Sequence, residues 1–304
     1  MADAEPQIID SVEAGHTGYV RVMKDIAAGT CGGIAQVLVG QPFDTTKVRL
    51  QSAPPGTYSG ALDVVKQLLK TEGPRGFYKG TLTPLVGVGA CVSIQFGVFQ
   101  GMKRFFSTQN GSDRLTPGQI FVSGAAAGVA NSVLASPIEH VRIRLQTQTV
   151  EGAFSGPMDV IRQLWAADGL RGIYRGLMPT ILREGNGMGL YFLTYESLVM
   201  ADMDRLGVRR EDIPGYRLCG YGALAGYSVW ILTYQFDVIK SKLQTDALNP
   251  AERQYRSMLQ CARHTIATAG VGGLFRGFVP TMLRAAPANA STFLAFELAI
   301  RAMG

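Results

Sequence analysis

Long stretches of the chain carry apolar and small polar residues with almost no charge. Residues 80–102 and 115–138 are charge-free, and 26–43 and 218–236 are nearly as long. Two more stretches are interrupted by charge, 176–196 at Arg183 and Glu184 and 277–296 at Arg284. A helix crossing the hydrocarbon layer needs about 20 predominantly apolar residues, so the pattern predicts six transmembrane helices. Their glycine and polar content is too high for anchors that face lipid all round. In the polar intervals, Val64, Val65, Leu68 and Leu69, and then Val160, Ile161 and Leu164, recur at helical spacing. Each such interval is predicted to hold a short amphipathic helix.

The polar segments repeat. Pro42-Phe43-Asp44-Thr45-Thr46-Lys47-Val48-Arg49-Leu50-Gln51 is echoed from Pro137 to Gln146 and again from Gln235 to Gln244. Downstream, Glu72-Gly73 and Tyr78-Lys79-Gly80 return as Asp168-Gly169 and Tyr174-Arg175-Gly176, then as Ala269-Gly270 and Phe275-Arg276-Gly277. Between them lie Tyr58-Ser59-Gly60, Phe154-Ser155-Gly156 and Tyr255-Arg256-Ser257. Three motifs in one order, offset by 95 to 101 residues, make the chain a tandem triplicate. The expected organisation is an acidic tail over 1–20 and repeats over 21–108, 115–202 and 213–302. Gly29 with Gly33, Gly124 with Gly128 and Gly222 with Gly226 form small-x-x-x-small pairs, which are expected to pack helix backbones closely in lipid.

Composition sharpens this picture. Only 17% of the 304 residues are charged, against about 25% in soluble domains. The four cysteines, Cys31, Cys91, Cys219 and Cys261, are too scattered for a zinc site or a disulfide framework. His16, His140 and His264 are equally dispersed, no phosphate-binding glycine loop is present, and no metal, cofactor or enzymatic chemistry is expected. Asp3, Glu5, Asp10 and Glu13 precede the first basic residue, Arg21, the reverse of a transit peptide. The long loops, with the motif charges beside them, carry a net +7, and the termini with the short connections carry −2. The basic loops are therefore expected to face the inner compartment and both termini the other side.

Within the first motif, acid and base stand three residues apart in Asp44/Lys47, Glu139/Arg142 and Asp237/Lys240. Both then share one helix face near its inner end. Arranged around an axis, each acid could reach the base of the next helix and close a ring. Ions at that depth are costly unless paired, and competing water or substrate could release them, which suits a gate. Gly80, Gly176 and Gly277 each precede a helix, where free backbone N–H groups favour phosphate.

Three copies of Pro-x-acid-x-x-base-x-base, followed by aromatic-base-Gly, resemble the mitochondrial carrier family over residues 21–302. Gln235 in place of the proline and Ala269 in place of the acid are departures in the third copy. The resemblance implies an all-α membrane protein: six transmembrane helices in three tandem repeats with threefold pseudosymmetry, plus three short matrix-side helices. It implies a monomeric inner-membrane carrier working by alternating access, with a small-molecule substrate and no nucleic-acid partner. In that family Gln51, Gln146 and Gln244 would brace the ring. Gly80, Gly176 and Gly277, with Gly60, Gly156 and Ser257, would clamp cardiolipin. An outer gate would sit at Gln100, Lys103, Glu196 and Glu297, sparsely charged and so easily opened. The substrate contact points would be Gly87, Arg183 with Glu184, and Arg284. An arginine followed by an acid resembles amino-acid and carnitine-type carriers, because a guanidinium holds a carboxylate while a carboxylate receives an ammonium. The first repeat resembles fungal carriers of the glycine and glutamate group. The expected activity is transport of a small amino acid, glutamate-like or glycine, and the resemblance implies antiport. Carnitine or a basic amino acid is the nearer alternative, and a proton leak the rival of another class.

Overall fold

In the computed structural model, residues 19–54, 56–112, 115–148, 153–209 and 212–302 are described. The acidic tail lies outside them, apart from its last two positions. Six long helices are present: α1 (Tyr19–Ser52), α3 (Leu82–Asn110), α4 (Pro117–Thr147), α6 (Leu177–Leu206), α7 (Gly215–Thr245) and α9 (Phe278–Ala302). Within each repeat a shorter helix lies between two long ones: α2 (Ala61–Thr71), α5 (Pro157–Ile173) and α8 (Met258–Ala269). No strand occurs among the described residues.

Composition alone marks α4 as long and apolar enough to span a membrane, with Pro74–Asn110 and Met258–Ala302 qualifying as bent pairs. The other long helices have the length, but charges that the motifs place inside them dilute their hydropathy. Burial reads the same way. Gln41, Thr45, Gln51, Asn131, Ser136 and His140 are buried, whereas Ile34, Val86, Val133, Leu224, Ile231 and Leu283 are exposed. Polar-inside, apolar-outside packing is unfavourable in water and natural in lipid.

The chain packs as two compact units whose boundaries fall inside the long helices. Among the described residues, the first comprises those from Tyr19 to Met23 and those within 90–132 and 181–233. Its core stacks Phe99 on Phe192 at 3.7 Å between ring centroids, with Ile120, Ala127, Val199 and Ala225 around them. Here α4 and α6 touch backbone to backbone. A Cβ on Gly124 would come 2.6 Å from the Met188 carbonyl oxygen, and one on Gly128 would overlap the Glu184 carbonyl. Gly189 is equally tight against Phe121. The close-packing expectation therefore applies to the Gly124/Gly128 pair.

In the second unit, residues 24–89, 133–180 and 234–304, it does not apply. Gly29 and Gly33 meet nothing within 4 Å, and it is Gly32 that lies against Thr292. The short helices dock here through narrow stripes. In α2 these are Val64 and Leu68, in α5 Val160 and Leu164, and in α8 Cys261 and Thr265. Val65, Leu69 and Ile161, expected in the same stripes, are not buried. Each short helix also exposes an apolar pair seven residues apart: Leu62 and Leu69, Met158 and Trp165, Leu259 and Ile266. An outward stripe on a helix with charge nearby suits the lipid interface. Proline lies inside α1 at Pro42 and α4 at Pro137, while α7 carries Gln235 at that place and keeps its backbone donor.

Two alanine substitutions separate tight from open glycines. Gly128→Ala is expected to cost at least about 1–3 kcal/mol through overpacking, and Gly33→Ala to gain up to about 1 kcal/mol of helix propensity. Thermal unfolding of the purified protein in detergent measures both, and equal shifts of the same sign would contradict the packing described.

Candidate functional site

The three motif helices present acid and base on one face because of the three-residue spacing, and within the second unit the faces meet. Arg142 Nη2 lies 2.7 Å from Asp44 Oδ2, Lys240 Nζ 2.5 Å from Glu139 Oε2, and Lys47 Nζ 2.8 Å from Asp237 Oδ2. The acid of each repeat takes the base of the next, and the third returns to the first, so the six residues form a closed cycle. The Lys47–Asp237 link is the most enclosed, with side chains 10% and 4% exposed. A buried pair of this kind is strongly destabilised when one partner is removed.

The glutamines behave unequally. Gln51 Nε2 donates to Asp237 Oδ2 at 3.1 Å and to the Tyr234 hydroxyl at 3.0 Å, while its Oε1 accepts from Ser241 Oγ at 2.8 Å. It thus lies across the Lys47–Asp237 link, with Lys47 also 5.4 Å from the centre of the Tyr234 ring. Gln146 Nε2 reaches Thr45 Oγ1 instead, at 3.3 Å. Gln244 Nε2 donates to the Ser136 and Arg175 carbonyls at 3.4 and 3.3 Å. A hydrogen bond to the Asp44–Arg142 pair comes from Gln41, whose Oε1 accepts from Arg142 Nη2 at 2.6 Å. Gln41, Ser136 and Tyr234 occupy the same repeat position, one residue ahead of the motif. Because its three side chains differ in type, the repeat shows no echo there.

A fourth cation joins the ring. Arg284 Nε approaches Asp44 Oδ1 at 3.1 Å, an ionic contact without hydrogen-bond geometry, so Asp44 is shared with Arg142. The guanidinium lies over Gly40, where an added Cβ would come 2.8 Å from Nε. Gly87, an expected contact point, is buried beneath Ile138, with 2.7 Å between an added Cβ and Cδ1. A side chain at this position would require Ile138 to shift.

In the first unit Arg183 and Glu184 form a local pair. Arg183 Nη2 donates to Glu184 Oε1 at 2.7 Å, and Asn131 Nδ2 donates to Glu184 Oε2 at 3.2 Å. Adjacent residues on a helix diverge, yet these two turn toward each other and remain 11% and 19% exposed. Together they offer guanidinium donors and a carboxylate acceptor within a few ångströms.

The positions expected to form an outer gate are less organised. Lys103 lies 5.7 Å from the Phe99 ring centre one turn away. Glu297 pairs with Arg301 on its own helix at 2.8 Å, both exposed, and a surface pair of that type is worth roughly 0–1 kcal/mol. Gln100 and Glu196 are half-buried.

Gly80, Gly176 and Gly277 all adopt left-handed backbone, with φ of 78°, 87° and 86°. Only glycine takes this conformation without strain. A recess of about 220 Å³ brings Lys79, Gly80 and Thr81 together with Phe154, Ser155 and Gly156. Gly60 and Gly156 start their helices in extended conformation, and Ser257 caps α8 by accepting from Gln260 N. Their third-position partners were not anticipated. Asp63 accepts from Ser59 N at 3.0 Å and Asp159 from Ser155 N at 2.9 Å, in each case the residue just before the helix cap. Those backbone donors hold both carboxyls below their ordinary range. Glu72 receives Arg49 and Lys79, each at 2.6 Å. Burial alone would raise its carboxyl, but Lys79 and Arg49 hold it down.

A family model described as mitochondrial carrier protein matches residues 19–110, 113–201 and 212–304. The chain is 54% identical to a mitochondrial glycine transporter of Saccharomyces cerevisiae, over 98% of each protein. It is 50% identical to a glutamate/glycine mitochondrial carrier of Schizosaccharomyces pombe, over 90% of this chain and 92% of the relative. A mitochondrial carnitine/acylcarnitine carrier-like protein of Arabidopsis thaliana is 40% identical, over 92% and 98%.

Gln51→Ala removes a hydrogen bond to a charged group and should cost about 1.5–3 kcal/mol, whereas Gln146→Ala should cost less because its amide meets only a hydroxyl. Unfolding temperatures rank the two. The depressed carboxyls of Glu72, Asp63 and Asp159 stabilise the fold above the unfolded-state values near about 4. That contribution is lost as pH falls through and below them. Between pH 6 and 3, on the order of the range these groups titrate over, stability should fall less steeply in Glu72→Gln than in the unaltered protein.

Proposed function

Because the chain belongs to the mitochondrial carrier family, we propose that it moves a small amino acid, with glycine and glutamate the candidates, across the inner mitochondrial membrane by alternating access. The observation that carries the substrate class is the paired Arg183 and Glu184. An α-amino acid presents a carboxylate and an ammonium on one carbon, and this pair offers a partner of opposite charge to each. Asn131 keeps the Glu184 carboxylate oriented. Similarity to a glycine transporter and a glutamate/glycine carrier supports the same class.

The ring of Asp44, Lys47, Glu139, Arg142, Asp237 and Lys240 is assigned the role of matrix gate, with Gln51, Gln146 and Gln244 as its supports. Arg284 is assigned a substrate carboxylate. In the structure Arg284 holds Asp44, so a carboxylate that drew it away would leave Asp44 with one cation fewer. Substrate binding would thereby weaken the Asp44–Arg142 link directly. Gly87 is assigned the third, uncharged contact point, with Ile138 packed against it. Gln100, Lys103, Glu196 and Glu297, few of them charged, are assigned an outer gate that opens easily. Cardiolipin at Gly80, Gly176 and Gly277 with Gly60, Gly156 and Ser257, a monomeric carrier and termini facing the intermembrane space complete the reading. The recess joining the Gly80 and Gly156 segments supports the lipid assignment.

Uptake of labelled glycine and glutamate into proteoliposomes tests it. Transport of at least one is expected, falling by about tenfold or more in Arg183→Ala, the equivalent of losing a charge-assisted hydrogen bond. Normal uptake by Arg284→Ala would remove that residue from the binding role. Proton flux that is independent of amino acid, with no uptake, would favour a leak instead.

A further inference from the structure

The three repeats carry a second layer of charge outside the ring, and the third has lost its acid. In the first repeat Glu72 bridges Arg49 and Lys79, the second base of the helix motif and the base of the aromatic-base-Gly motif, at 2.6 Å each. In the second, Asp168 stands at the place of Glu72 and takes Arg253 at 2.7 Å, while Arg175 is neutralised by Asp246 at 2.5 Å. In the third repeat the place belongs to Ala269. The equivalence is structural as well as sequential. A Cβ on Gly76, Gly172 or Gly273 would approach the Cβ of Glu72, Asp168 or Ala269 at 2.8, 3.3 and 2.8 Å.

The two cations that would have shared the missing acid remain. Lys242 is 9% exposed, and its ammonium donates to Thr265 Oγ1 at 3.0 Å. Arg276 lies within electrostatic range of it and donates to the Ala53 carbonyl at 3.3 Å. Among the described residues neither has a carboxylate in ion-pair contact. An ammonium has three donors and a guanidinium five, so most are available. Holding a cation nine-tenths buried without a counter-charge is unfavourable. Ala269 itself is exposed, so the vacated place opens to the surroundings.

We propose that Lys242 and Arg276 form an oxyanion site in which an external phosphate group occupies the position that Glu72 fills in the first repeat. Two cations within electrostatic range of each other match the charge of a phosphate near its dianionic state, and a guanidinium with an ammonium supplies both fork and point-charge contacts. The phosphate comes from solution or from a lipid headgroup. The site is independent of the amino-acid pair Arg183 and Glu184.

Thermal unfolding of the full chain in neutral detergent tests this at constant ionic strength. One arm adds inorganic phosphate against chloride, and the other adds mixed micelles containing phosphatidic acid. A rise of a few degrees is expected, roughly what ligand at tens of times its dissociation constant gives in a protein of this size. A rise with inorganic phosphate identifies a soluble source, and a rise with lipid alone identifies a headgroup. Ala269→Glu restores the internal acid and should raise the starting temperature while cancelling most of the increment. Lys242→Gln should lose the increment without that gain, and decides the matter if Ala269→Glu does not fold. No increment in the unaltered protein from either probe, or an undiminished one in both variants, would overturn the site.

Discussion

Charge that cannot be left alone at membrane depth governs this molecule. Each of the six ring residues would be unfavourable by itself, and each is tolerable because the neighbouring repeat supplies its partner. That mutual dependence makes three weakly similar segments of sequence into one structure: no repeat can satisfy its own acid, so all three must be in place before any is stable. It also explains why polar side chains gather inside the second unit while aliphatic ones are turned out. Gln41, Gln51, Tyr234 and Ser241 are buried because the ring needs hydrogen bonds beyond its ion pairs, and lipid accommodates the apolar residues displaced outward.

The same logic distinguishes strong from weak places. Lys47–Asp237 is enclosed and braced by Gln51, whereas the Asp44–Arg142 link is more open and shares its acid with Arg284. The ring is therefore uneven despite its cyclic order. Its most adjustable link is the one held by a residue assigned to substrate. On the roles proposed above, a single carboxylate, Asp44, would answer to both substrate and gate.

Much of this was readable in the sequence where chemistry and spacing repeat together. Acid and base three residues apart, recurring three times, specified the ring down to its members. Glycines in the aromatic-base-Gly motifs were expected to precede helices, and α3, α6 and α9 begin just after them. Legibility failed where a position is filled differently in each copy. Gln41 and Tyr234 precede the motif and share no residue type, so nothing marked them as partners of Arg142 and Gln51. It also failed for glycines, whose role depends on the facing backbone: Gly124 and Gly128 meet α6 at contact distance, while Gly29 and Gly33, with the same spacing, face open space. The Arg284–Asp44 contact joins the first and last repeats, and no local pattern encodes it.

The sharing of Asp44 has one more effect. Three carboxylates hold four cations, Lys47, Arg142, Lys240 and Arg284, so the closed ring carries a surplus positive charge. A hydrated proton or alkali cation reaching it meets net repulsion, strengthened by the low dielectric of the surroundings. In the gate role proposed above, that surplus would oppose leakage of protons across the inner membrane while remaining hospitable to an arriving anion.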